Sequence, residues 1–266
     1  MHAGRASYSG LIVRLNRSRR DIDRRLVALL ALAVFSIGYL SRSAASGCAV
    51  SLGAYHGPTF RSASTVDAAC LVESPWLRVM QHTVRVSPTS TVDDWLFIDY
   101  HDRINVLVEG DDGDSPSGSL GALMAPRSFY VFRQKKYALE EESYAIVGGI
   151  VEPGEDSAVA AAREVREEMG LDCANMVPLG RYRTDVNRGM GWVNSFAARD
   201  CRHISAGKAQ KTSANAEEVG AADVERQDIV KVSLDELKEA ALSGQFVEVQ
   251  WSNTVSLALL HYQAHV

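Results

Sequence analysis

The chain has 266 residues and a formal net charge of −5, from 28 Lys and Arg against 33 Asp and Glu. That length holds one well-buried domain plus an extension, and so acidic a chain lacks the basic footprint of a duplex nucleic-acid binder. The four cysteines, Cys48, Cys70, Cys173 and Cys201, form no C-x-x-C pair. Neither a zinc site nor a redox motif is indicated, and free thiols in a reducing compartment are expected.

Residues 1–25 carry seven arginines and no lysine, and residues 26–40 then run without a charge. This apolar run is shorter than the roughly 20 residues of a spanning helix. With a basic flank before it and the small residues Ala44, Ala45, Ser46 and Gly47 after it, it suits a cleaved signal or an uncleaved membrane anchor. The Arg and Ser content also allows an organelle transit segment, which Asp21 and Asp23 oppose. If the segment spans, its basic flank keeps the N-terminus in the cytoplasm. Residues 51–65 mix Gly, Pro, Ser and Thr without a period and read as a linker. Residues 1–66 are therefore expected to be a targeting or anchor segment plus linker, and residues 67–266 the folded domain.

Strand patterns follow at residues 76–86 and 95–100, joined through Ser87-Pro88-Thr89-Ser90 as a hairpin, and again at 103–109 and 128–133. Residues 67–110 are expected to form a small β-subdomain ahead of a core at 120–266, with 110–121 as a loop. Residues 144–147 lead into a distinctive acidic stretch. Beyond it, 176–185 and 192–198 read as strands around a turn at 187–191. Residues 202–220 read as a polar loop, with Arg202, Lys208 and Lys211 as solvated charges. A strand at 228–232 precedes a capping box, Ser233 with Glu236, that opens a helix over 234–242 closed by Gly244. A last helix is expected over 255–262. Strands before, around and after one central helix predict an α/β fold with a mixed sheet between helices.

The acidic stretch, residues 149–171, is GIVEPGEDSAVAAAREVREEMGL. Its Ala, Arg, Glu and Met content predicts a helix over 158–169, with Asp156 or Ser157 as N-cap and Gly170 as the stop. Glu164, Glu167 and Glu168 then share one face. Like charges at this spacing cost about 0.2–0.5 kcal/mol per pair on an exposed helix. A hard divalent cation such as Mg²⁺ offsets that cost. A solvated helix with an Arg163–Glu167 ion pair is the other reading of the same residues.

The spacing matches the Nudix box, G-x5-E-x7-R-E-U-x-E-E-x-G-U, at Gly149, Glu155, Arg163, Glu164, Glu167, Glu168 and Gly170, with Val165 and Leu171 at apolar positions. The chain thus resembles the Nudix hydrolases over roughly residues 70–260. The resemblance implies an α/β/α sandwich with a mixed sheet, here preceded by the small N-terminal β-subdomain and the hydrophobic segment. The extra hairpin resembles the ADP-ribose and ADP-sugar pyrophosphatase branch. That likeness implies Mg²⁺, or Mn²⁺ in its place, held by Glu164 and Glu168 with Glu167 in support and the carbonyl of Gly148 as a further ligand. Arg163 holds a glutamate, and Glu155 orders the substrate-side loop or supplies charge at the helix N-terminus. Trp76 or Trp95 stacks on the base across a homodimer interface or packs the hairpin. Lys136, or Arg133, lies near the substrate phosphates. Glu225 is the expected general base, with Asp223, Glu218 and Glu217 as rivals and Glu164 as fallback. Ala145 stands where the branch usually has a glutamate, so one metal or ribose contact is missing. The expected reaction splits a nucleoside diphosphate sugar, ADP-ribose or another ADP-sugar, into AMP and a sugar phosphate. A dinucleoside polyphosphate or NADH hydrolase and a non-catalytic nucleotide-binding module are the alternatives.

Overall fold

Strand β5 (Arg103–Glu109) is buried at every position from Ile104 to Val108. A strand without polar alternation must be covered on both faces, and this one is. The computed structural model describes residues 47–110, 128–204 and 227–264. The chain divides into two compact units, Met1–Cys48 and Ala49–Val266. The first lies almost wholly outside the described residues, and residues 26–40 with it. Among the described residues no helix is long and apolar enough to cross a membrane.

The second unit is built on one mixed sheet. Its strands are β1 (Val50–Ser51), β2 (Thr65–Glu73), β3 (Leu77–Ser87), β4 (Ser90–Tyr100), β5, β6 (Ser128–Gln134), β7 (Ser143–Ala145), β8 (Val147–Ile150), β9 (Leu171–Asp185), β10 (Gly189–His203) and β11 (Gln227–Ser233). The order is β1-β2-β3-β4-β10-β5-β6-β11, with β7 on β6, β8 on β5 and β9 on β10. Strand β10 runs parallel to β5 and antiparallel to β9. Helix α1 (Ser157–Met169) packs on β5, β8 and β9, while α2 (Leu234–Leu242) and α3 (Val249–Ala264) complete the helical layers. The core joins Ile104, Val106, Phe129, Val165, Phe196 and Val255. This is the mixed-sheet α/β fold that the sequence predicts.

Four features differ from the sequence reading. Residues 103–109, expected in the small β-subdomain, form β5 between β10 and β6 in the core sheet, because a run buried from Ile104 to Val108 needs cover on both faces. Residues 51–65 are not a linker: Ser51 pairs with Glu73, Tyr55 is buried, the Phe60 N–H donates to Asp99 Oδ1 at 2.9 Å, and the Phe60 ring stacks on Phe97. All of these partners are distant in sequence, so local composition gave no sign of them. Helix α3 starts at Val249, not at 255, because Trp251 and Thr254 are buried on its inner side. The cysteines are not free thiols. Cys173 and Cys201 face each other across β9 and β10 with Cα atoms 3.9 Å apart and form a disulfide, and no described cysteine is free. Antiparallel register brought the two together, which separation in sequence concealed.

Candidate active site

Helix α1 begins where Asp156 caps it: the carboxylate accepts from the N–H groups of Ala158 (2.9 Å) and Val159 (3.3 Å). It ends at Gly170, whose φ of 65° is left-handed and whose N–H donates to the Arg166 carbonyl at 3.1 Å. Glycine takes that conformation without the Cβ clash other residues suffer. Between these caps, helical spacing turns Val165 and Glu164 inward and leaves Glu167 half exposed.

Arg163 organises the acidic residues. Its Nε donates to Glu155 Oε1 at 3.0 Å and Nη2 to Glu155 Oε2 at 3.1 Å, a bidentate fork. Nη1 donates to Glu164 Oε1 at 2.8 Å and to Glu167 Oε2 at 3.2 Å, and Nη2 also reaches the Ile150 carbonyl at 3.1 Å. The guanidinium therefore ties α1 to the end of β8 and to the loop between them. Such a planar array of donors cannot be supplied by lysine. Glu155 also accepts from the Glu152 N–H at 3.1 Å. The Arg163 hydrogen bonds hold its carboxyl below the usual range.

The inner glutamates behave oppositely. Burial pushes Glu164 up to about 7, against the pull of Arg163. Burial and then repulsion from Glu164 push Glu168 up to about 8, against Lys136 and a hydrogen bond from the Gly148 backbone. Gly149 is explained by contact: a Cβ built there would lie 2.1 Å from the Glu164 carboxyl carbon. Only glycine lets β8 press this closely on that side chain.

Among the described residues no three His, Cys, Asp or Glu side chains are gathered into a ready metal-binding set; Arg163 occupies oxygens of Glu155, Glu164 and Glu167. The donor chemistry nevertheless fits a hard divalent cation. The groups are carboxylate oxygens, and desolvation and mutual repulsion raise Glu164 and Glu168 despite the nearby charges of Arg163 and Lys136.

The structure brings together Glu155, Arg163, Glu164, Glu167, Glu168 and Gly148, and sets Lys136 near Glu168. Arg133 stands apart, exposed, with loose ion pairs to Glu142 and Asp228 at 3.9 Å each. Trp95 donates from Nε1 to the Asn187 carbonyl at 2.7 Å, and Trp76 is exposed just before β3. Glu225, Asp223, Glu218 and Glu217 lie outside the described residues.

Two residues near the cluster escaped the sequence reading. Arg103 pairs in register with Ile150, stacks over Tyr100 at 5.0 Å, donates to Gln250 at 3.0 Å and meets Glu248 at 3.8 Å. Glu248, just ahead of α3, is raised by burial and attracted by both Arg103 and Lys136. A charge opening an otherwise apolar strand was the available signal for Arg103; Glu248 had none.

The NUDIX domain family profile matches residues 99–251, more than half of the chain. A solved structure described as "Crystal structure of ADP compounds hydrolase" is similar with a TM-score of 0.55 and 15% identity, covering 80% of this chain and 98% of that one. At that identity the likeness is one of fold. No curated protein matches in sequence. With the box glutamates gathered around Arg163 at the end of β8, and the family profile spanning sheet and helices alike, the chain belongs to the Nudix hydrolase family, whose members generally use divalent metal ions.

Proposed function

We propose that the protein hydrolyses the diphosphate bond of a nucleoside diphosphate sugar, ADP-ribose or another ADP-sugar, in a Mg²⁺-dependent reaction. The observation that carries this reading is the pair of raised, mutually repelling carboxyls on one helix face, buried Glu164, held by Arg163 against Gly149, and partly buried Glu168. A module that only bound nucleotides would have no use for repelling buried acids. The structural neighbour is described as an ADP compounds hydrolase, which agrees with the substrate class.

Glu164, Glu167, Glu168 and the Gly148 carbonyl would hold Mg²⁺, with Mn²⁺ able to replace it. When bound, the ion lowers the pKa of a water and neutralises phosphate charge. The chain does the rest. Arg163 fixes the Glu164 carboxylate, and Lys136 places positive charge beside Glu168 for the phosphates. Glu225 takes the proton from the attacking water. One P–O bond forms to that water, and the bridging P–O bond breaks with its electrons going to the departing phosphate. The products are AMP and a sugar phosphate, for ADP-ribose ribose 5-phosphate. For location, we propose that residues 26–40 target or anchor the protein, which agrees with the Cys173–Cys201 disulfide, since such bonds persist in oxidising compartments. A homodimer completes the proposal.

The test is AMP release from ADP-ribose with Mg²⁺. Glu168→Gln is expected to lower kcat by at least about a hundredfold, as loss of a group that positions transition-state charge does. Equal turnover by parent and variant would remove the metal-holding role.

A further inference from the structure

A concave site that contains none of the box residues lies elsewhere in the same unit. It is a cleft of ≈ 150 Å³ where β4, β9 and β10 meet the segment before β2, and its walls include Phe60, Phe97, Asp102, Arg181, Arg183 and Trp192. Two of its charged pairs are closed. Arg78 holds Asp99 at 2.9 Å, and Arg181 holds Asp102 at 2.8 Å. Arg183 is different. Its guanidinium carbon lies 4.9 Å from the centre of the Trp192 ring, 5.6 Å from that of Phe60 and 5.8 Å from that of Phe97, and among the described residues no hydrogen bond or ion pair engages the guanidinium. Contact with aromatic rings does not use up the N–H donors of a guanidinium, which can still take a bidentate anion. The cleft therefore carries one uncompensated positive charge, oriented by three rings.

The cleft is also wired to the box. Asp102 accepts from the Trp192 N–H at 3.1 Å with its side chain and from the Val151 N–H at 2.8 Å with its carbonyl. Val151 directly follows β8. Gly191, at φ 72°, makes this possible, because a Cβ there would lie 2.3 Å from the His101 carbonyl oxygen.

We propose that this cleft is an anion subsite in which Arg183 binds a phosphoryl group, one separate from the phosphates at the glutamate cluster. It rests on the hydrolase reading only for its link to turnover, and its binding function stands without it. The phosphoryl group is either a third one, carried by a substrate larger than ADP-ribose, or free inorganic phosphate acting as an effector.

The test uses the full chain in EDTA, so that no hydrolysis takes place. Inorganic phosphate, 2′-phospho-AMP, AMP and adenosine are titrated against intrinsic tryptophan fluorescence and by calorimetry. Arg183→Gln is expected to weaken phosphate binding about tenfold, the scale of one charge-assisted contact. Arg183→Lys, which keeps the charge and the aromatic contacts, decides the matter if the glutamine variant does not fold, and is expected to weaken it severalfold through loss of the fork. Tighter binding of 2′-phospho-AMP than of AMP, abolished by Arg183→Gln, identifies a substrate phosphoryl group. Binding of inorganic phosphate with no such preference identifies the effector. Equal binding of every ligand by parent and both variants, or binding of adenosine as tight as that of AMP, overturns the proposal. Failure of the Glu168→Gln assay would leave these titrations unaffected.

Discussion

Five donated hydrogen bonds make Arg163 the residue on which the cluster depends, but Gly149 sets how closely the cluster can form. The space that a methyl group needs at Gly149 is occupied by the Glu164 carboxyl. Gly149→Ala must therefore push that carboxylate aside without removing any acid from the site. We expect kcat for ADP-ribose to fall about a hundredfold, since a displacement near 1 Å at a catalytic group has that scale. Circular dichroism should stay unchanged. Full activity in the alanine variant would show that Glu164 does not need its present place. Trp192 and Arg183 make the complementary point. Both belong to strands that the sequence revealed, yet their shared cleft depends on Phe60, over a hundred residues away in the chain.

At the scale of the element, legibility followed locality. The caps of α1 and the capping box of α2, where Ser233 and Glu236 bond reciprocally, depend on residues within four positions, and the sequence displayed both. So did the helical face that unites Glu164, Glu167 and Glu168. The disulfide, the packing of residues 50–60 and the Arg103–Glu248 contact depend on register between distant strands or on helix docking, and nothing nearby encodes them. The disulfide closes a loop of 28 residues in sequence separation between β9 and β10. Its removal by Cys173→Ser with Cys201→Ser is expected to cost about 2–4 kcal/mol, since an open hairpin gains entropy when unfolded. Urea unfolding of the parent and of the double serine variant, both without reductant, measures this. Coincident midpoints would show that hairpin hydrogen bonds alone hold the two strands. Because Ile204 donates to the Gly170 carbonyl at 3.0 Å, loosening this hairpin also disturbs the end of α1.

For the molecule as a whole, the raised Glu164 and Glu168 link folding, protons and metal. Their values of about 7 and about 8 exceed the ordinary 4.5, so the folded state holds extra protons between those limits. Stability from these groups is present below about 4.5 and is lost as pH rises through 7 to 8. Glu155, depressed by Arg163, acts in the reverse direction, and its contribution is lost only as pH falls below the ordinary carboxyl range. His82 is also shifted, downward, by burial and then by Arg61, so the melting temperature alone does not isolate the two carboxyls. The increment in Tm from millimolar Mg²⁺ over EDTA isolates the pair, because binding must displace their protons. That increment is expected to grow from pH 5.5 to pH 8.5, and an increment independent of pH would count against both carboxyls as ligands. The β9–β10 hairpin has a different effect on the covalent chain. Its turn exposes Val186 and Arg188, while Cys173 and Cys201 are bonded at the opposite end. A tryptic nick after Arg188 would cut the polypeptide once and yet release no fragment, leaving two halves that migrate as a single band until a thiol is added.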